Sequence, residues 1–287
     1  MLSRRTALKI ALTAGATGTL SATAVDQNPK AIHVDTNISL FHWPFRRLPL
    51  DDTSALVARL KSLGIGQAWA GSFDSLLQRD MTAVNQRLAD ECRLHAELLP
   101  MGSVNLMLPD WEHDLHRCVH SHRMRGIRLF PGYHGYTLHD PAFERLLDLA
   151  TLAGVFVQIV AALEDTRTQS RQLPIPDVDL TPLVKLMPAH PQARVQILNH
   201  RLRGPLLKQL GDAPGIHFDT ARVEGTNGVP ELVNSVPTGR VLYGSHAPFL
   251  IPEAAFIRVH ESGQLADASL RSILSDAAIA MAGSETL

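Results

Sequence analysis

The sequence predicts a single (β/α)8 barrel. Three observations predict it. Eight short apolar runs alternate strictly with amphipathic segments, and such alternation calls for a parallel sheet. Eight repeats within 287 residues favour a closed barrel over an open doubly wound sheet. No Gly-x-Gly-x-x-Gly follows the first run, so a dinucleotide-binding alternative has no support.

The elements follow in order. The first strand is the apolar run 32–38, and a helix over 53–63 stops at Gly64. Strand two is 67–72, with a helix over 82–95. Strand three is 98–104, with a helix over 111–122. Strand four, 126–131, leads to a helix over 141–153 that has Pro141 in its first turn and Gly154 after its end. Strand five is 155–160 and its helix 180–189; strand six is 194–199 and its helix 204–210. Strand seven, 216–221, precedes a helix near 229–234. Strand eight, 240–245, precedes helices near 253–261 and 266–282. The longest irregular stretches, 41–52 and 165–179, both follow strand ends, where the working loops of a barrel lie.

A hydrophobic content of 45% is ample for one large core. A net charge of −1 and 5% aromatic residues argue against nucleic acid or an anionic membrane as partner. Cys92 and Cys118 fall in helical patterns and read as buried thiols; in an oxidising compartment a disulfide stays open.

The N-terminus reads as a targeting segment. Ser3-Arg4-Arg5-Thr6-Ala7-Leu8-Lys9 resembles a twin-arginine signal, an apolar stretch runs over 10–20, and Ala22-Thr23-Ala24 offers a cleavage site. The stretch is too short and too rich in Gly and Thr to span a bilayer. The expected organisation is a signal over 1–24 and one barrel domain over 25–287, exported to the periplasm or beyond, with no integral membrane segment left after signal removal.

A barrel builds its site at the C-terminal ends of its strands. Asp35, Asn37 and Ser39 alternate on the first strand and so share a face. The fourth strand end offers Arg128, Tyr133 and His134; the fifth Glu164, Asp165 and Arg167; the sixth Asn199 and His200; the seventh Asp219; the eighth Ser245 and His246. Barrel interiors are filled mainly by apolar side chains, so this polar set marks a site.

The segments Val34-Asp-Thr-Asn, Trp43-Pro-Phe, Gly126-Ile-Arg-Leu-Phe-Pro, Asp219-Thr-Ala and Gly244-Ser-His-Ala-Pro-Phe resemble the amidohydrolase-related family of metal-dependent hydrolases and decarboxylases, a TIM barrel fold. The resemblance covers almost all of the chain after the signal. It implies a hydrolase or lyase acting on a small carboxylate-bearing substrate. It also implies a metal site built from Asp-x-His-x-His on the first strand, His on strands five and six, and Asp on strand eight. This sequence departs at every ligand: Asn37 and Ser39 stand for the His pair, Val160 and Asn199 fall at strands five and six, and His246 replaces the Asp. His200, one residue past Asn199, points to the other face unless a bulge re-aims it. The motifs are similar to a metal-poor subgroup of that family.

No metal ligand is therefore assigned, and a divalent metal such as zinc stays open as a cofactor. The residues suit metal-free acid–base chemistry. His246, Asp35, Glu164 and Asp165 are the candidate catalytic groups. Asn37, Arg128, Tyr133, His134, Arg167, Asn199 and Asp219 are the candidate substrate-binding groups, the arginines as carboxylate clamps and the amides as oxyanion donors. The alternative is a barrel that has lost catalysis and binds a small molecule as sensor or carrier. A homo-oligomer stays open. His113, His116 and His120 share one helix face and read as a solvent-facing stripe, opposite Trp111, Leu115, Cys118 and His122.

Overall fold

The computed structural model describes residues 32–283; the signal expected over 1–24 lies outside the described residues. Eight parallel strands run in sequence order: β1 (His33–Leu40), β2 (Ile65–Ser72), β3 (Leu98–Gly102), β4 (Gly126–Leu129), β5 (Phe156–Val160), β6 (Val195–Leu198), β7 (Ile216–Asp219) and β8 (Val241–Leu242). The barrel closes by a seam between its first and last segments. Thr36 N–H donates to the Tyr243 carbonyl at 2.9 Å, Ser39 N–H to the Ala247 carbonyl at 2.9 Å, and His246 N–H to the Asn37 carbonyl at 2.8 Å.

The helices are α1 (Thr53–Ser62), α2 (Met81–Arg93), α3 (Trp111–His116), α4 (Pro131–His134), α5 (Pro141–Leu152), α6 (Leu183–Ala189), α7 (Gly204–Asp212), α8 (Gly228–Ser235), α9 (Pro252–His260), α10 (Asp267–Arg271) and α11 (Ala277–Ala282). Asp52, Asp80 and Asp140 start α1, α2 and α5 by accepting N–H bonds from Ala55, Ala83 and Ala142. The short α4 was not expected. Pro131 presets its first residue and Gly135, at φ 77°, ends it.

Two helices read as continuous are interrupted by wide π turns, at Arg117–Ser121 and at Ser272–Asp276. The second has a visible reason. It frees the Ile273 carbonyl, which accepts the Tyr243 N–H at 2.9 Å and pins the C-terminal helices to β8. The same bond takes the Tyr243 N–H out of the ladder, and the pairing of β8 with β7 ends at Leu242. Cys92 and Cys118 are free and buried, and burial pushes both thiols up to about 12. His113, His116 and His120 are exposed, with the last two rings 4.3 Å apart.

The barrel interior is stacked in three levels. At the N-terminal end, Val34, Trp69, Met101, Phe156 and Leu242 pack on Ala277, Ala278 and Met281 of α11. The middle level is polar. Arg128 donates to Gln158 Oε1 at 2.8 Å and to the carbonyls of Ile38, Trp69 and Thr36 at 2.5, 3.1 and 3.4 Å. Gln158 passes a bond to Gln196 at 2.7 Å, and Gln196 passes one to Thr36 Oγ1 at 2.7 Å. Gly71 leaves room for this guanidinium, since a Cβ there would lie 2.6 Å from Arg128 Nη1. The third level, at the C-terminal mouth, holds the candidate site.

Candidate active site

Three local distortions aim side chains into the mouth. β1 carries a bulge: Asp35 faces Ala68 of β2 and Ile38 faces Ala70, so three steps on β1 match two on β2. The extra residue lets both Thr36 and Asn37 reach the interior, where strict alternation would admit only one. Asn199 and His246 sit at φ 57° and 58°. Asn and His are among the residues other than glycine that adopt this left-handed conformation most readily. Gly244 gives clearance, since a Cβ there would lie 3.0 Å from both Asn37 Cβ and Asp219 Oδ2.

These distortions join four strand ends in one buried network. Asn37 Nδ2 donates to Asp219 Oδ2 at 2.6 Å and to Asn199 Oδ1 at 2.8 Å. Asn199 N–H donates to Asp219 Oδ1 at 3.0 Å. His246 Nε2 faces the Leu163 carbonyl at 3.0 Å, and His246 Nδ1 faces Asn199 Nδ2 at 3.4 Å. A carbonyl only accepts, so Nε2 carries the hydrogen and Nδ1 accepts from the amide. Asp35 stands beside the seam: its Oδ1 accepts from Ser245 N–H at 3.0 Å and Asn37 N–H at 3.1 Å, while its Oδ2 is buried without a hydrogen-bond partner.

Burial sets the electrostatics. It raises Asp219 to about 7, against the pull of bonds from Asn37, Asn199 and Ala221, with the nearby Asp35 charge adding to the rise. It raises Asp35 to about 6, against bonds from Ser245 and Asn37 and the Arg128 charge. It lowers Arg128 to about 9, although both aspartates hold it up. It lowers His246 to about 4, so this imidazole is neutral at pH 7.

The β1–α1 loop covers the network. Trp43, only 2% exposed, is the hub of an aromatic lid, with Phe249, Phe45, Phe73 and Tyr133 rings 5.1, 5.3, 5.3 and 6.3 Å from its own. Phe249 also stacks on His246 at 4.9 Å. Arg46, from the same loop, pairs with buried Glu164 and lies over the Phe249 ring at 5.2 Å.

The other expected residues separate from this centre. Arg128 has every guanidinium nitrogen engaged inside the barrel, which corrects its reading as a substrate clamp: its side chain points down into the barrel, not up. Asp165 and Arg167 bond each other within their own turn, at 2.9 and 3.0 Å, on the exposed loop after β5, and Asp165 also meets Arg201. Neither enters the mouth, because the turn closes locally and holds both outward. His134 Nε2 bonds the Ser75 carbonyl at 2.8 Å, and Tyr133 packs beneath the lid. His200 is turned away, its Nε2 on the Asp219 carbonyl at 3.1 Å and its ring edge-on to Phe218. Ser245 Oγ accepts the Ala247 N–H at 3.0 Å, and its hydroxyl helps hold Asp35 down.

Trp43, Arg46, Gln158 and Gln196 were not anticipated as part of this architecture. The glutamines had a signal, since each interrupts an otherwise apolar strand (FVQIV and VQIL). The roles of Trp43 and Arg46 depend on how a loop folds back, which local pattern does not carry.

A family model described as Amidohydrolase matches residues 32–283. The chain belongs to the amidohydrolase family. Among solved structures, this amidohydrolase resembles 2,6-dihydroxybenzoate decarboxylase from Rhizobium, at 13% identity over 88% of this chain and 99% of that one, TM-score 0.66. It also resembles 5-carboxyvanillate decarboxylase from Sphingomonas paucimobilis, at 9% identity over 88% and 99%, TM-score 0.70. A third is dihydroxybenzoic acid decarboxylase from Polaromonas sp. JS666 with bound manganese and 2-nitroresorcinol, at 10% identity over 88% and 97%, TM-score 0.71. No curated protein matches.

The residues at this amidohydrolase's mouth do not fit such a metal. Among the described residues no three His, Cys, Asp or Glu side chains gather as a ligand set. The oxygens that would meet a cation, Asp219 Oδ2 and Asn199 Oδ1, converge instead on Asn37 Nδ2, a donor with no lone pair to offer.

Proposed function

We propose that this amidohydrolase is a lyase or hydrolase acting on a small carboxylate-bearing substrate, by acid–base chemistry around Asp219 and without the family's metal. The observation that carries it is the Asn37–Asn199–Asp219–His246 network, four strand ends joined at the mouth with a carboxyl group held near neutrality. A carboxyl group at about 7 is populated in both protonation states at physiological pH, the condition for efficient proton transfer. Asn37 and Asn199 hold it in place and supply amide dipoles that need no reorganisation.

The lid favours aromatic acids. Trp43, Tyr133 and Phe249 offer ring faces and edges, and Arg46 offers a guanidinium at the rim for the substrate carboxylate. The solved relatives named as decarboxylases of dihydroxybenzoates and carboxyvanillate support the same class. In the decarboxylation version the bond between ring and carboxylate breaks, carbon dioxide leaves, and the electron pair on the ring carbon takes the proton of Asp219, which water then restores. In the hydrolytic version ionised Asp219 takes a proton from the attacking water. Either requires the 41–52 loop to lift. The test is a turnover screen of the purified protein over aromatic acids, β-keto acids, esters, lactones and amides; saturable binding without turnover of any would return the chain to the binding-protein reading.

We also propose that the chain is exported through its N-terminal segment, on the strength of Arg4-Arg5 and the Ala22-Thr23-Ala24 site. N-terminal sequencing of the mature protein checks it; a mature chain that retains Arg4 and Arg5 contradicts it.

A further inference from the structure

A second concavity lies beside the mouth, between the loops after β6 and β7. It encloses ≈ 270 Å³ and is lined by Arg201, Arg203, Arg222 and Gly204, the first residue of α7. That volume sits just under the range of small-ligand pockets, which begins at about 300 Å³. Arg201 is neutralised by Asp165 at 3.2 Å. Arg203 and Arg222 have no ion pair among the described residues, and Arg222 Nη1 is fully buried with no hydrogen-bond partner. A buried guanidinium N–H left unpaired is costly and rare. Gly204, the first residue of α7, borders the same cleft, and Arg203, the N-cap of that helix, makes no side-chain cap bond. Glu224 and Glu231 also line the cleft, but both are exposed, and Glu231 lies in the first turn of α8, where its charge complements that helix's own dipole.

We propose that this cleft binds the anionic group, phosphate or carboxylate, of a small molecule, through Arg203 and Arg222. The site is independent of the acid–base reading. His200 lines the cleft on one side and bonds the Asp219 carbonyl, so it lies next to the network without belonging to it.

Calorimetric titration of the full chain with inorganic phosphate, and separately with succinate, tests this. Saturable binding of at least one is expected: phosphate alone identifies phosphate-bearing ligands, succinate alone identifies carboxylates, and both identify a general anion site. Arg203→Gln and Arg222→Gln should each weaken binding roughly tenfold, and Glu224→Gln should tighten it. Arg203 is exposed, so its variant keeps the test valid if the Arg222 variant fails to fold. Failure of both probes to saturate at millimolar concentration, or unchanged affinity in Arg203→Gln, overturns the proposal.

Discussion

Asn37 Nδ2 lies 2.6 Å from Asp219 Oδ2, and through this bond the first strand of the barrel is tied to the seventh. The same nitrogen reaches Asn199 at 2.8 Å, so one amide group sits where two acceptors converge. Residue 37 is a position where the family resemblance implies a metal-binding imidazole. Here a donor occupies it, and the acceptors around it are satisfied without a cation.

Asn37→Ala should therefore destabilise the fold by leaving two buried acceptors unpaired, at about 1–3 kcal/mol each. Asn37→Asp should be worse, because it sets a second carboxylate against Asp219. Urea unfolding of the three proteins measures this; an Asn37→Ala variant as stable as the wild type would show that the network is not under tension.

Stability should depend on pH in two opposed ways. His200, His217 and His246 are each lowered by burial to about 4, so between pH 4 and 6.5 the unfolded chain binds more protons at them and stability rises with pH. Asp35 and Asp219 are raised by burial to about 6 and about 7, so the folded chain binds more protons at them and stability falls as pH climbs toward those values. At pH 6.5 the unfolded histidines are still half protonated, so the rise from three histidines outweighs the fall from two aspartates until about pH 7.5. Asp219→Asn removes part of the opposing fall, so it should steepen the rise of the unfolding midpoint between about pH 5 and 7. An Asp219→Asn midpoint that rises no more steeply than that of the wild type would contradict the assignment.

Much of the barrel was legible in the sequence, because the alternation of apolar runs and helix signals such as Gly64, Pro141 and Gly154 are local. The site was legible as a list of strand-end polar residues but not as a geometry. The β1 bulge and the left-handed turns at Asn199 and His246 decide which of those side chains meet, and each depends on contacts with distant strands. Arg128 shows the limit most clearly. Its position on β4 is evident from GIRL, but its burial among carbonyls of β1 and β2 follows from the space left by Gly71 on β2.

Arg128→Gln separates the interior role from a clamp. The structure predicts a loss of about 3–5 kcal/mol, as for removal of one member of a buried charged network. A substrate clamp would instead fold with near-normal stability and show a raised KM. Chemical denaturation alongside ligand binding distinguishes the two.

Trp43→Ala should open the mouth. Removing this hub should cost about 3–5 kcal/mol in stability while speeding the entry of a small aromatic acid. Stopped-flow binding to the wild type and variant reads the entry rate; identical rates would mean that the 41–52 loop is not the gate.

We propose that chemistry at this mouth runs through Asp219 and not through a bound metal. Turnover of the best substrate from the screen, measured after exhaustive chelation in the wild type and in Asp219→Asn, tests it most directly. Wild-type turnover should survive chelation and gain nothing from added manganese, while Asp219→Asn should lose it. Turnover that vanishes on chelation and returns with manganese, or that persists in Asp219→Asn, would contradict it.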